Sequence, residues 1–346
     1  MRTALIALLA FAAGILAMLL VRERLPSAAV PHAQAPLVQP VAPASALPPP
    51  DDAETETAPG DDNDWPEQAP TPEQVIYAQP QRLDQALARL GPRVPGKPNL
   101  YLVAFAGDGG EDVFRNEAEY AAQLFTRRFG PSAHALVLEN NPDTLATRPL
   151  ATWSNLEHAL DGLARTMDPQ QDILLLYLTS HGSEAHDLLV DMDPLPLDQI
   201  GADDLGSILK ARPFKWKVVV VNACYSGGFV PSLQGAGTLV ITAARSDRSS
   251  FGCGNDSAAT YFGRAWLIDA LNRTTDFITA FRQASDEVAT WERQDHLLAS
   301  EPQIDIGSGI AGQLSKWQAG IRPGPAVPFD PGTAATALQK KAAAAR

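Results

Sequence analysis

Cysteine is almost missing from this chain: two residues in 346, Cys224 and Cys253. One bridge is the most they can make, which excludes a scaffold built on disulfides. Two thiols are also too few for a zinc site unless histidines join them. Charge is sparse at 19% of residues, and its balance is acidic, with a formal net charge of −13. Phosphate binding needs clustered Lys and Arg, so nucleic acid is not an expected partner. No internal repeat is visible, and the length suits one large domain or two small ones. No cofactor or metal is expected. His186 with Asp187, Asp191 and Asp193 has no helix-based ligand spacing and reads as an exposed loop.

What is present falls into zones. Residues 3–21 form an apolar run without charge, flanked by Arg2 and by Arg22, Glu23 and Arg24. At a rise of about 1.5 Å per residue such a run just spans a hydrocarbon core of about 30 Å. Residues 1–24 are therefore expected to be a membrane anchor. Ala33-Gln34-Ala35 has the small-x-small form of a cleavage site but lies well beyond the run. Residues 26–72 hold 12 of the 29 prolines, with many Ala, Asp and Glu. That composition cannot bury enough surface to offset ordering entropy, so 25–74 is expected to be a disordered tether. The folded domain is expected over 75–322, and a Pro-, Gly- and Ala-rich tail over 323–346 is expected to be unstructured.

Within the domain, strand and helix patterns alternate. Helices are predicted at 82–90, 112–129, 152–167, 203–211, 259–272 and 276–294. Strands are predicted at 99–106 and 133–138, in the run ending at His181, in the run ending at Cys224, and at 238–243. A short hairpin is expected near Asp187–Asp191. The alternation implies an α/β fold with a mostly parallel sheet and helices on both faces.

Two of these runs end abruptly in a reactive residue beside a small one. DILLLYLTSHG ends in His181-Gly182, and KVVVVNACYSGG ends in Ala223-Cys224. Continuous apolar runs suit strands buried on both faces, and ligands sit beyond the carboxyl ends of such strands. Neighbouring strands of this kind place an imidazole and a thiol on one rim. A cysteine attacks as thiolate and needs a depressed pKa or a base beside it. The N–H groups of Gly182 and Cys224 are candidates for an oxyanion hole. Ser226-Gly227-Gly228 supplies the tight turn that a protruding nucleophile requires.

Ser180-His181-Gly182, Asn222-Ala223-Cys224-Tyr225-Ser226-Gly227-Gly228, Ala243-Ala244-Arg245 through Cys253, and Thr260-Tyr261-Phe262-Gly263-Arg264 together resemble the legumain family of cysteine peptidases. Within that family the likeness is greatest to bacterial membrane-anchored members. The resemblance covers residues 99–305 and implies a caspase-like αβα sandwich that hydrolyses peptide bonds with a Cys–His dyad. It implies Cys224 as nucleophile, His181 as general acid–base and Gly182 in the oxyanion hole. It also implies Arg115 in the primary specificity pocket, with Ser249 and Ser250 flanking substrate. Two departures stand out: the family's glutamate before Ala-Cys is Asn222 here, and Arg264 lies where an acidic residue is usual. A pocket with Arg115 and Arg264 would prefer an acidic or carboxylate-bearing group.

The expected partner is a protein or peptide substrate, with the membrane reached through the N-terminal helix. The resemblance places the anchor in the inner membrane and the domain in the periplasm. Two alternatives remain at this stage: a transpeptidase or transamidase using the same dyad, and a catalytically silent binding module of the same fold. Oligomeric state is not read from the sequence.

Overall fold

The computed structural model describes residues 65–331. The predicted anchor and most of the predicted tether lie outside that range. Among the described residues, no helix is long and apolar enough to cross a membrane.

Helix α1 (Pro72–Ala88) opens on a capping box in which the Thr71 hydroxyl and the Gln74 side chain satisfy each other's backbone N–H. Strand β1 (Leu100–Ala106) leads into helix α2 (Asp112–Arg128), and β2 (Ala133–Glu139) into α3 (Trp153–Thr166). Strand β3 (Ile173–Thr179) is followed by a two-stranded ribbon, β4 (Asp187–Leu188) antiparallel to β5 (Ile200–Gly201), and then by α4 (Ala202–Lys210). After β6 (Trp216–Asn222) and β7 (Thr238–Thr242) comes a π-helical turn at Gly263–Ala270. The remaining elements are α5 (Phe277–Gln294), β8 (Gln303–Ile306) and α6 (Ile310–Ala319).

The sheet has six strands in the order β2-β1-β3-β6-β7-β8. Five run parallel, and β8 joins antiparallel to β7. Strand side chains alternate between two cores. Leu100, Leu102 and Ala104 face α2, the π turn, α5 and α6; Tyr101, Val103 and Phe105 face α1, α3 and α4. Burial on both faces is why these strands read as unbroken apolar runs. The result is a three-layer αβα sandwich with a mostly parallel sheet.

Several boundaries differ from the sequence expectation. The folded part begins before Val75: the Trp65 indole N–H donates to the Pro70 carbonyl at 2.9 Å and packs on the Val75, Leu145 and Leu150 cluster. Strand β8 and helix α6 had no sequence prediction. The stretch 324–329, expected to be unstructured, lies against α2: Val327 is buried and its carbonyl accepts the Tyr120 hydroxyl at 2.8 Å.

Candidate active site

Register places the reactive pair. β3 and β6 are adjacent and parallel, with Thr179 opposite Asn222, so the chain positions that follow bring His181 alongside Cys224. Side-chain alternation then puts both on the α2 face. Tyr177 and Val220 already point that way, and the His181 ring meets Phe114 of α2 edge-on at 5.1 Å. The two turns touch. A Cβ on Gly182 would lie 2.2 Å from the Cys224 carbonyl oxygen, so only glycine lets the backbones approach this closely.

Beyond β6 the chain bends sharply. Tyr225 adopts a left-handed conformation with φ 56°, and its N–H donates to the Arg248 carbonyl at 2.7 Å. The Ser226 hydroxyl accepts from the Ala244 N–H at 3.1 Å. These bonds wedge the nucleophile turn against the loop after β7. That loop supplies Ser250, whose N–H donates to the Cys224 sulfur at 3.3 Å and whose carbonyl lies 3.5 Å from it. An N–H aimed at the sulfur is in place for the anion that forms when the thiol proton leaves. Among the described residues, the N–H groups of Gly182 and Cys224 have no backbone partner, so both stay open to an oxyanion.

The imidazole is held from its far side. Nε2 of His181 lies 3.2 Å from a Glu111 carboxylate oxygen and 3.5 Å from one of Asp108. Each carboxylate is anchored through its other oxygen, Asp108 by the Gly110 N–H at 2.8 Å and Glu111 by the Gly254 N–H at 2.7 Å. Burial pushes the Asp108 carboxyl up from its usual range, while the Gly110 N–H and His181 pull the other way. In the tautomer with its proton on Nε2 the ring would donate to these carboxylates and keep Nδ1 as its acceptor. Asp108, Glu111 and His181 are also the one group among the described residues with ligand atoms close enough to share a metal, within 4.8 Å of one another. No hydrogen bond joins the imidazole to the thiol directly.

Under the rim lies a buried carboxylate that the sequence reading missed. Glu117 of α2 accepts from Tyr177 at 2.9 Å, Thr179 at 2.7 Å, Asn222 at 2.8 Å, and both the N–H and hydroxyl of Thr260 at 2.8 Å. Burial raises its carboxyl, opposed by these donors. Gly263 admits it, since a Cβ there would lie 2.0 Å from a Glu117 oxygen. The arrangement gives Asn222 a physical reason. A glutamate at that position would set a second carboxylate against Glu117, whereas the amide donates to it.

Both arginines expected from sequence in a specificity pocket have carboxylate partners. The Arg115 guanidinium is buried between Asp112 at 3.2 Å and Asp143 at 3.0 Å, with Asn141 at 2.8 Å, towards the end of β2. Arg264 is exposed and pairs with Asp269 at 3.7 Å. The acidic groups gathered at His181 are Asp108 and Glu111. Ser249 is half-buried next to Ser250 on the same loop. Nor does Asn222 orient the imidazole; its amide nitrogen is spent on Glu117 and Thr260. Cys253 is a free thiol, as is Cys224, and burial raises its pKa strongly. Glu111 had one faint sequence signal, its place in the polar turn after β1, and nothing local tied it to His181.

Residues 157–313 match the model of the peptidase C13 family. The segment belongs to that family. It carries β3 with His181 and β6 with Cys224, and the match supports a cysteine-type hydrolase acting on protein or peptide. Caspase-1 from Spodoptera frugiperda, a solved structure, aligns with 63% of this chain and 90% of its own at 13% identity and a TM-score of 0.44. No curated protein matches the sequence.

Proposed function

We propose that the chain is a membrane-tethered cysteine endopeptidase in which Cys224 attacks the peptide carbonyl and His181 handles the proton. The observation that carries this reading is the placement of both residues on one face of adjacent strand ends, beside the Gly182 and Cys224 N–H groups, which have no backbone partner among the described residues. In this scheme His181 Nδ1 takes the thiol proton, and the sulfur–carbon bond forms as the carbonyl becomes an oxyanion held by Gly182 and Cys224. Collapse breaks the C–N bond, with His181 returning the proton to the leaving amine. Water then hydrolyses the thioester. Glu111 and Asp108 hold the imidazole throughout as positioning residues.

Hydrolysis of a fluorogenic peptide library tests the proposal. Cleavage should vanish in Cys224→Ala, and labelling of Cys224 by a thiol-directed electrophile should slow at least about tenfold in His181→Ala. Equal labelling with and without His181 would remove the dyad. The same library reads specificity: a dominant preference for Asp or Glu before the scissile bond contradicts the acidic surroundings of the thiol. The uncharged run at 3–21 supports a membrane tether, and the family resemblance favours the inner membrane with the domain in the periplasm. Release of the full chain from membranes by alkaline carbonate would overturn it.

A further inference from the structure

The outer edge of the sheet holds a second feature, unrelated to the thiol. β2 is the edge strand, and its free side lies along a groove of about 870 Å³ between α1 and α2, closed at one end by Ala146–Pro149. Odd-numbered residues of β2 point their backbone outward. The chain itself caps two of them: Ala133 N–H donates to the Gly130 carbonyl at 3.0 Å and Glu139 N–H to the Pro149 carbonyl at 3.1 Å. Between them, Ala135 and Val137 have no backbone partner among the described residues, and both line the groove. Their N–H and C=O groups are an open half-ladder.

The walls are cationic in a chain whose net charge is −13. Arg82 and Arg89 come from α1, Arg127 from α2 and Arg148 from the closing loop. Arg148 is shared between Glu119 at 3.5 Å and Glu139 at 3.6 Å, but among the described residues no carboxylate pairs with Arg82, Arg89 or Arg127. Arg82 donates to the Leu145 carbonyl instead. The other wall positions mix polar residues such as Gln81, Gln85 and Thr126 with small apolar ones such as Ala78, Ala86 and Ala122, and one carboxylate, Glu119, lies among them.

We infer that this groove docks an extended acidic segment of a partner protein, which adds to β2 as a seventh strand. Main-chain bonds to Ala135 and Val137 would hold the segment, and its side chains would alternate towards the arginines of α1 and of α2. A second copy of this chain fits poorly, because β2-to-β2 pairing would set two rows of arginines face to face. β2 lies three strand spacings from β6, roughly 14 Å, so an occupied groove leaves the thiol free.

The test is fluorescence anisotropy on the full chain carrying Cys224→Ala, which prevents turnover. The probe is a labelled eight-residue peptide of alternating Glu and Thr. Saturable binding that weakens with salt is expected. Arg82→Glu combined with Arg127→Glu should weaken it at least about tenfold. Ala135→Pro should weaken it as much while keeping every charge, since proline at an outward edge position removes only the free N–H. On the unsubstituted groove, amide exchange at Ala135 and Val137 should slow when peptide is added, which needs no variant to fold. The inference is overturned by no binding, by binding indifferent to both substitutions, or by equal binding of an alternating Lys and Thr peptide. Tighter binding of a ten-nucleotide single-stranded DNA, or self-association through β2 that Ala135→Pro abolishes, would overturn it as well.

Discussion

At the scale of single residues, two positions around the dyad separate placement from chemistry. Glu111 touches neither thiol nor substrate; it fixes the ring whose Nε2 it faces at 3.2 Å. Glu111→Gln keeps the size and loses the charge. It should lower kcat by roughly tenfold to a hundredfold with KM little changed, and Glu111→Asp should recover part of the loss. A general loss of packing would move both parameters and the thermal midpoint, so steady-state kinetics beside a melting curve tells the two apart. Gly182 makes a second point. The Cβ of Gly182→Ala would sit 2.2 Å from the Cys224 carbonyl, so the two turns must part. The variant should fold, by circular dichroism, yet lose at least about a hundredfold in kcat/KM.

At the scale of elements, the sheet is held by buried polar groups at its carboxyl ends as well as by its apolar faces. Glu139 closes β2, where burial and the nearby Glu119 push its carboxyl up to about 7, partly offset by Arg148 and Arg115. The usual glutamate value is near 4.5, so the folded state holds this proton where the unfolded chain has lost it. Stability from this group is therefore fully present below about pH 4.5 and is lost as pH rises through about 7, by roughly 3 kcal/mol over the window. Glu139→Gln should flatten that slope and unfold at higher denaturant than the parent at pH 7. Urea titrations at pH 5, 6 and 7 read both effects. Helix α2 matters most among the elements because one helix supplies Phe114 against the imidazole and Glu117 under Asn222. Neither contact is visible in the helical periodicity that predicts α2, since periodicity reports which face is buried and not which partner it meets.

At the scale of the whole molecule, the closing segment is part of the fold although it forms no helix or strand. Gly324 N–H donates to the Arg128 carbonyl at 2.7 Å, Arg128 returns a bond to the Gly324 carbonyl at 2.7 Å, and Phe329 meets Tyr120 edge-on at 5.2 Å. Truncation after Arg322 exposes the cover of α2 and should cost about 2–4 kcal/mol, a shift of several degrees by calorimetry. Composition alone read this stretch as unstructured, because Pro, Gly and Ala carry no period. What holds it is a set of single contacts with α2 and Asn272, such as the Val327 N–H donating to the Asn272 side chain at 2.8 Å.

Local pattern was enough to find the five parallel strands, the helices between them and the two strand ends that bring His181 and Cys224 together. Apolar runs, helical spacing and turn residues are properties of neighbouring positions, and DILLLYLTSHG and KVVVVNACYSGG carry all three. The rest depended on which distant residues meet. Glu111 reaches His181 and Glu117 reaches Asn222 only because β1, β3 and β6 lie side by side under α2. Arg115, aligned by motif with a specificity pocket, is instead neutralised by Asp112 and Asp143, because its azimuth on α2 turns it towards the end of β2. Strand β8, four residues reading QIDI, was too short and too polar to announce itself, and only pairing with β7 makes it a strand. Charge–charge partners are set by register and helix rotation, and those are decided when the layers pack.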